Sequence, residues 1–390
     1  MKNFTKRFSI LALAPAVALF FAGCETEVDL NAPYKSTTVV FALLDADSNN
    51  DGVTNQLDTQ WVKINRTFLG DGDNLAYATI RDSSEYEESE FVSKKVQRFF
   101  DGDFIEEWDL TAVTVSNKNV NGIFYGPEQT LYYFLPPASG LNEDSNYRLA
   151  LDFVSKEDVS AETDIIVGSE LVFSQPQQET TINLASGTAF NVTYSTNTRV
   201  KWYPANGAKS YDAVLRFHYR EIVYSDPSWT NEVSNTMKFV DFNLGGYEVT
   251  DTESSSQVEI EFNAESFFSF LAGKMTASPS IRREIGTYDG ASTRCFDLIV
   301  SMGNEELNTY IEVNSPVSGI VQERPSYGNV SNALGLFAAR STRKLENLKV
   351  SAVTGGGVPQ IGNLHALCTG TYTAALNFCD PNPGSEYACD

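Results

Sequence analysis

Two histidines in 390 residues leave little material for histidine chemistry. A Ser-His-Asp triad or a multi-histidine metal centre would have to be built around His218 or His365, and His218 falls in a run that reads as strand. The chain also lacks a Gly-x-Ser-x-Gly nucleophile elbow and a glycine-rich phosphate loop, the signatures of many hydrolases and nucleotide-binding proteins. Positive charge is scarce: 28 Lys and Arg stand against 51 Asp and Glu, for a formal charge of −23. A surface that acidic repels phosphate backbones, which excludes nucleic acid as a partner, while it can attract divalent cations. Beyond the N-terminus no apolar run is long enough to cross a bilayer as a helix. No catalytic set is legible, and the chain is read as non-enzymatic.

What the chain does have begins at its N-terminus. Lys2, Lys6 and Arg7 precede an apolar run from Phe8 to Phe21 that only Ser9 and Pro15 interrupt. That run is too short for a spanning helix and has the layout of a secretory signal, residues 1–23. It closes on Phe21-Ala22-Gly23-Cys24, which resembles the bacterial lipobox with Phe21 in place of the usual Leu. The resemblance implies that Cys24 carries covalent lipid and becomes the new N-terminus. At about 0.8 kcal/mol per buried methylene, two or three acyl chains hold a protein on a membrane essentially permanently. Residues 24–36 then read as an acidic tether, with Glu25, Glu27 and Asp29 alternating with Thr26 and Val28. This acidity resembles the surface-export signal of Bacteroidota lipoproteins and equally suits a solvated spacer. The expected location is the outer membrane bilayer, with its periplasmic or surface face left open.

Strand signals dominate the body of the chain. Tyr147, Leu149, Leu151 and Phe153 alternate onto one face, residues 60–69 alternate around Trp61, Lys63, Asn65 and Thr67, and residues 37–44, 111–115 and 130–135 read as further strands. Phe99 to Phe104 reads as a hairpin turning at Asp101-Gly102. Asn263 can cap a helix with Phe267, Phe268, Leu271 and Met275 on one side, and a weaker helix is read over Ile281–Ile285. Strands are expected again at 295–302, 310–313 and 345–353. The expected fold is mainly β, with two immunoglobulin/fibronectin-like β-sandwich domains at 37–173 and 183–353, the second carrying a helical insertion. A polar linker, 174–182, joins them, and a cysteine-containing segment, 354–390, follows. Its proline-bearing tail would fray unless tied down.

Cys24 aside, Cys295, Cys368, Cys379 and Cys389 make an even number in an exported chain, which favours disulfides. The spacings of the last three are not those of a zinc knuckle. Three pairings are open, and the favoured one joins Cys379 to Cys389 and Cys295 to Cys368.

Two longer stretches resemble known families. Val200-Lys201-Trp202-Tyr203-Pro204-Ala205-Asn206-Gly207-Ala208-Lys209-Ser210-Tyr211 resembles the second-strand region of fibronectin type III domains, where a core Trp precedes a turn and a Tyr opens the next strand. The tether, the strand ending Leu43-Leu44-Asp45, the stretch from Leu141 to Phe153, Ala161-Glu162-Thr163 and Asn329-Val330-Ser331-Asn332-Ala333-Leu334-Gly335-Leu336-Phe337 together resemble a large Bacteroidota group of outer-membrane lipoproteins of unknown function. Ala333 and Ala338 stand where that group has glycine. The resemblance implies a β-rich envelope protein, sometimes encoded near TonB-dependent transporters, and brings no catalytic residues with it.

One motif carries chemistry. In the run from Asp47 to Asp58, the side chains of Asp47, Asn49, Asp51, Asn55 and Asp58 and the backbone carbonyl of Val53 fall at calcium-loop spacing, with Gly52 at the sharp bend. A structural Ca²⁺ clipped between two strands is one reading; an Asn- and Asp-rich hairpin connection is the other. The acidic groups Asp101, Asp103, Glu106, Glu107, Asp109 and Glu85, Glu87, Glu88, Glu90 read as solvated surface. The functional expectation is an accessory or binding subunit of an outer-membrane assembly, around a β-barrel transporter or export machine. The alternative is a surface glycan-binding lipoprotein of a polysaccharide-uptake system, with Trp108, Trp229 and Tyr132–Tyr133 as candidate platforms.

Overall fold

A computed structural model describes residues 36–47, 59–67, 74–137, 140–188, 191–249, 256–315, 327–350 and 362–389. The chain is mainly β. Its largest sheet holds β1 (Thr38–Asp47), β2 (Gln60–Arg66), β5 (Thr111–Ser116), β6 (Glu128–Phe134), β13 (Ser210–Tyr224), β14 (Glu232–Glu248), β16 (Ile281–Ile285), β17 (Thr287–Tyr288), β18 (Thr293–Gly303), β20 (Ala333–Lys349) and β21 (Phe378–Cys379). A five-stranded sheet holds β3 (Phe91–Phe100), β4 (Asp103–Asp109), β7 (Asn146–Phe153), β8 (Val159–Asp164) and β19 (Val330–Ser331). Three strands, β9 (Val172–Gln175), β12 (Thr198–Tyr203) and β15 (Val258–Phe262), form a third sheet, and β10 (Ala185–Thr188) pairs with β11 (Asn191–Tyr194).

Alternation explains these strands. In β7 every second side chain is buried, with Leu149 and Leu151 fully enclosed, because successive Cβ atoms point to opposite faces of a sheet. The β3–β4 hairpin turns on Asp101 (φ 49°) and Gly102 (φ 85°), the left-handed pair that a tight hairpin requires.

The sheets enclose two cores. In the first, Val40, Leu44, Val62, Ile64 and Tyr132 of the large sheet face Val96, Leu149 and Leu151 of the five-stranded sheet. In the second, Ala213, Leu215, Phe217, Leu298 and Val300 of the large sheet face Val200, Trp202 and Val258 of the three-stranded sheet. Here α3 (Ala264–Lys274) adds Phe267, Phe268 and Leu271, and the Asn263 side-chain Oδ1 caps it by accepting from Glu265 N–H. One continuous sheet is thus a layer of both sandwiches. Strand β20 threads through both, giving Phe337 and Ala339 to the first core and Leu345 and Leu348 to the second. It pairs in parallel with β1 over Thr38–Asp47 and antiparallel with β18.

The start of β20 is fixed by two residues of the Asn329–Phe337 stretch. The Asn329 side chain accepts from Phe337 N–H (2.9 Å) and donates to Phe337 C=O (2.6 Å), so it acts as a piece of neighbouring strand. Gly335 sits at φ 117°, and a Cβ there would lie 1.8 Å from the Val40 carbonyl oxygen; only glycine fits. The fibronectin-like stretch also takes the form its residues suggest. Trp202 is fully buried, Gly207 turns at φ 80°, and Tyr211, 5.6 Å from the Trp202 ring, accepts from Ala205 N–H (3.0 Å).

Two element assignments from the sequence are corrected. Ile281–Ile285, expected as a helix, is strand β16, antiparallel to Tyr219–Val223 of β13. Five residues are too few to hold a helix alone, and strand pairing lets Arg283 reach Glu221 inside the protein. Residues 310–313, expected as a strand, belong to α4 (Glu305–Asn314). Asn304 caps that helix by accepting from Leu307 N–H (3.2 Å), and Glu305 and Glu306 suit its positive N-terminal end. The strand expected at 345–353 begins earlier, at Ala333, and ends at Lys349; residues 351–353 lie outside the described ones. Ser174 and Gln175, read as linker, close strand β9 beside β12.

Candidate functional site

Cys24 and the tether lie outside the described residues, as do Asn49, Asp51, Val53, Asn55 and Asp58. Asp47 is the last residue of β1, and β1 and β2 are antiparallel neighbours, paired from Thr38↔Arg66 to Ala42↔Val62. Cys379 and Cys389 are bonded, with Cα atoms 5.1 Å apart. Cys295 and Cys368, expected as a second pair, are separate thiols in this structure. Cys295 is held on β18 and Cys368 on α5 (Asn363–Thr369). Burial, with the Asp380 carboxylate adding to it, pushes both thiols up, which makes them poor nucleophiles.

The aromatic candidates divide. Trp108 stacks on Phe134 and Tyr147 (5.4 and 6.2 Å) and is core packing, as is the fully buried Tyr132. Trp229 donates its indole N–H to Pro279 C=O (2.8 Å) and has the Arg282 guanidinium 5.0 Å from its ring. Tyr133 faces the other way from Tyr132 and meets the exposed Trp61. The acidic hairpin is largely surface, with Glu106 on Arg98 and Glu107 on Lys95. Glu85 departs from the solvated reading. Its burial alone would raise its pKa, but hydrogen bonds from Thr130 and Arg81 outweigh it and hold the carboxyl below the usual range.

The outer face of the large sheet, opposite the two cores, carries the candidate site. Alternation sends Phe41 and Leu43 of β1 and Trp61 and Lys63 of β2 to this side, because Val40, Ala42 and Val62 point into the core. Trp61 and Tyr133 meet directly across β2 and β6, ring centroids 5.5 Å apart at 51°. Beside them Lys63 Nζ donates to Gln129 (2.8 Å), and Gln129 donates to Asn117 (2.5 Å). Burial, then the nearby Lys118 charge, lowers the Lys63 pKa. Helix α4 lies across β18 and β20 and sets Tyr310 edge-on to Phe41, 6.1 Å away. Along its other flank runs a groove of about 570 Å³, lined by Leu43, Tyr247, Met302, Leu307 and Ile311, with Asp212 at the β13 side. Burial raises the Asp212 pKa. Arg340 also lines the groove and is paired with Asp45 at 2.8 Å.

A histidine–carboxylate pair occupies the far end of the same face. His218 Nε2 and Asp297 Oδ2 are 2.7 Å apart beside a pocket of about 190 Å³. Burial works against the Asp297 charge, but the hydrogen bonds it accepts from His218 and from Asn347 N–H hold its pKa below the usual carboxylate value. A carboxylate-oriented imidazole is half of an acyl-transfer machine. Cys295 lines the same pocket, but its thiol is fully buried, and burial raises its pKa and disfavours the thiolate.

The chain matches no protein-family model and no curated protein. Geometry gives an apolar groove beside α4 and an exposed aromatic pair on the outer face of one sheet, with ion-paired residues around them. Such a surface can bind an extended or flat partner and orient it through the polar groups at its rim. The alternation around Trp61, Lys63, Asn65 and Thr67 was a usable signal for this face; α4, which makes the groove, was missed although Asn304-Glu305-Glu306 is a cap signature.

Proposed function

We propose that this is a non-enzymatic outer-membrane lipoprotein, anchored through acylated Cys24, that serves as an accessory or binding subunit of an assembly built around a β-barrel transporter or export machine. The observation that carries the reading is the groove beside α4, flanked by the exposed Phe41 and Trp61. Exposed apolar surface with a polar rim is the kind a protein partner covers. Structural Ca²⁺ in the Asp47–Asp58 loop belongs to the same proposal.

The test is co-purification from detergent-solubilised membranes of the native host, with wild type beside an Ile311→Asp/Trp61→Ala variant. A stoichiometric barrel partner that the variant loses supports the reading; an unchanged partner set would move the interface elsewhere, and no partner at all would remove it. A second reading, surface glycan binding, is favoured by the exposed Trp61–Tyr133 pair beside the Lys63–Gln129–Asn117 hydrogen-bond chain. Retention on glycan resin that Trp61→Ala abolishes, with no protein partner, would favour it.

A further inference from the structure

We infer that a second element besides the lipid anchor touches the membrane: an apolar foot made by α1 (Asn74–Ala78) and the 117–127 loop, seated in the lipid interface. It rests on the reading that the chain is tethered to a bilayer at Cys24. Leu75, Tyr77, Ile80, Val120, Ile123 and Phe124 stand out of the surface, exposed by between 36% and 62%. The two segments form one patch. Tyr125 N–H donates to Ala78 C=O (2.8 Å), and Arg81, just past Ile80, pairs with Glu128, just past the loop, at 3.5 Å. Lys118 N–H donates to Pro127 C=O (3.0 Å), so the loop is closed on itself and presents its apolar tip in a fixed shape.

Charge identifies the occupant. In a chain with 51 acidic residues, neither Asn74–Ile80 nor Asn117–Pro127 contains one, and the only charge within them is Lys118. Carboxylates are thus kept to the edges of the two segments, at Asp73, Asp82 and Glu128, while aromatic and aliphatic side chains project between them, the composition of a segment that sits among headgroups and upper acyl chains. Position agrees with charge. The described residues begin at Ser36 and Thr37, and Thr38 pairs across the sheet with Arg66, whose guanidinium donates to Asp82 C=O (2.5 Å). Asp82 lies in α2 (Arg81–Ser84), which follows Ile80 directly. The tether therefore enters the body beside this patch. The stretch from Cys24 to Thr37 can extend no further than roughly 45 Å. A protein held that closely by its N-terminus meets the bilayer first with this end, and the foot fixes which way the sheet's outer face looks.

The test uses the full chain, produced in an acylating bacterial host and reconstituted in phosphatidylcholine vesicles. An environment-sensitive bimane label is placed at Ile123→Cys or, as the control, at Thr230→Cys in the β13–β14 turn, and nitroxide-labelled lipid is the quencher. Only vesicle-associated protein is read, and mass spectrometry of the same sample reports acylation separately. Where acylation fails, an N-terminal His-tag on nickel-chelating vesicles supplies the tether, so the anchor and the foot fail independently. The expected result is a blue-shifted label at position 123, quenched several-fold more strongly than at position 230, with Phe124→Asp returning it to the control value. Equal quenching at both sites would overturn the inference. So would a blue shift at 123 without lipid quenching, which would mean that protein rather than lipid covers the patch.

Discussion

Arg283→Met is the substitution with the most to say about how the second sandwich is held. Arg283 is 1% exposed, which makes its charge one that the fold must fully compensate. Its guanidinium bonds Glu221 (2.9 Å), Leu376 C=O (2.8 Å) and Thr276 C=O (3.0 Å), so it ties β13, the segment after α3 and the C-terminal segment to one point. Removing one partner of a buried pair costs about 3–5 kcal/mol. Lys238 still reaches Glu221 from the exposed side, which places the expected loss near the lower limit, about 3 kcal/mol. For a chain of this size that is a fall in Tm of roughly 4 °C. Burial opposes the Glu221 charge, but Lys238 and Arg283 together hold its pKa below the usual 4.5. Its stabilising contribution is therefore present above that value and lost as pH falls through the lowered one. In Arg283→Met the acid-induced loss should begin at higher pH. The assay is urea unfolding across pH 3–7 for wild type, Arg283→Met and Glu221→Leu/Arg283→Met. The double variant should recover part of the loss, because no buried charge is left alone. A single variant as stable as wild type would refute the reasoning, and so would a double variant worse than the single.

Reduction of Cys379–Cys389, or Cys379→Ser/Cys389→Ser, should destabilise the C-terminal segment by about 3 kcal/mol, the loop entropy of a bridge this short. Non-reducing peptide mapping should recover that bridge with Cys295 and Cys368 as thiols, and differential scanning calorimetry reads the loss. Calcium at a hundredfold excess over its dissociation constant should raise stability by roughly 2.7 kcal/mol in wild type and not in Asp47→Ala/Asp51→Ala; equal Tm shifts in both would leave the Asp47–Asp58 loop an ordinary acidic turn.

The strands were legible because period-2 burial is written locally: Tyr147, Leu149, Leu151 and Phe153 needed only their own neighbours to be read. The continuity of the large sheet was not, because it depends on β1 finding β20 nearly three hundred residues later, and no local pattern encodes a parallel partner. The same limit explains β16, whose Ile-Arg-Arg-Glu-Ile run is short and charged and becomes strand through Glu221 and β13. At the site, alternation revealed that Trp61 and Lys63 share a side but not that this side faces outward. Aromatic content alone gave no ranking among Trp108, Trp229 and Tyr132–Tyr133. Burial sorted them, sending Tyr132 inward and leaving its neighbour Tyr133 beside Trp61.

Membrane tethering through Cys24 underlies both the proposed function and the lipid-facing foot, and its most direct test is mass spectrometry of the N-terminal peptide from membrane-derived protein. The expected spectrum begins at Cys24 with two or three acyl chains, and Cys24→Ala abolishes the modification and releases the protein from membranes. An N-terminus elsewhere that carries no acyl groups would contradict it.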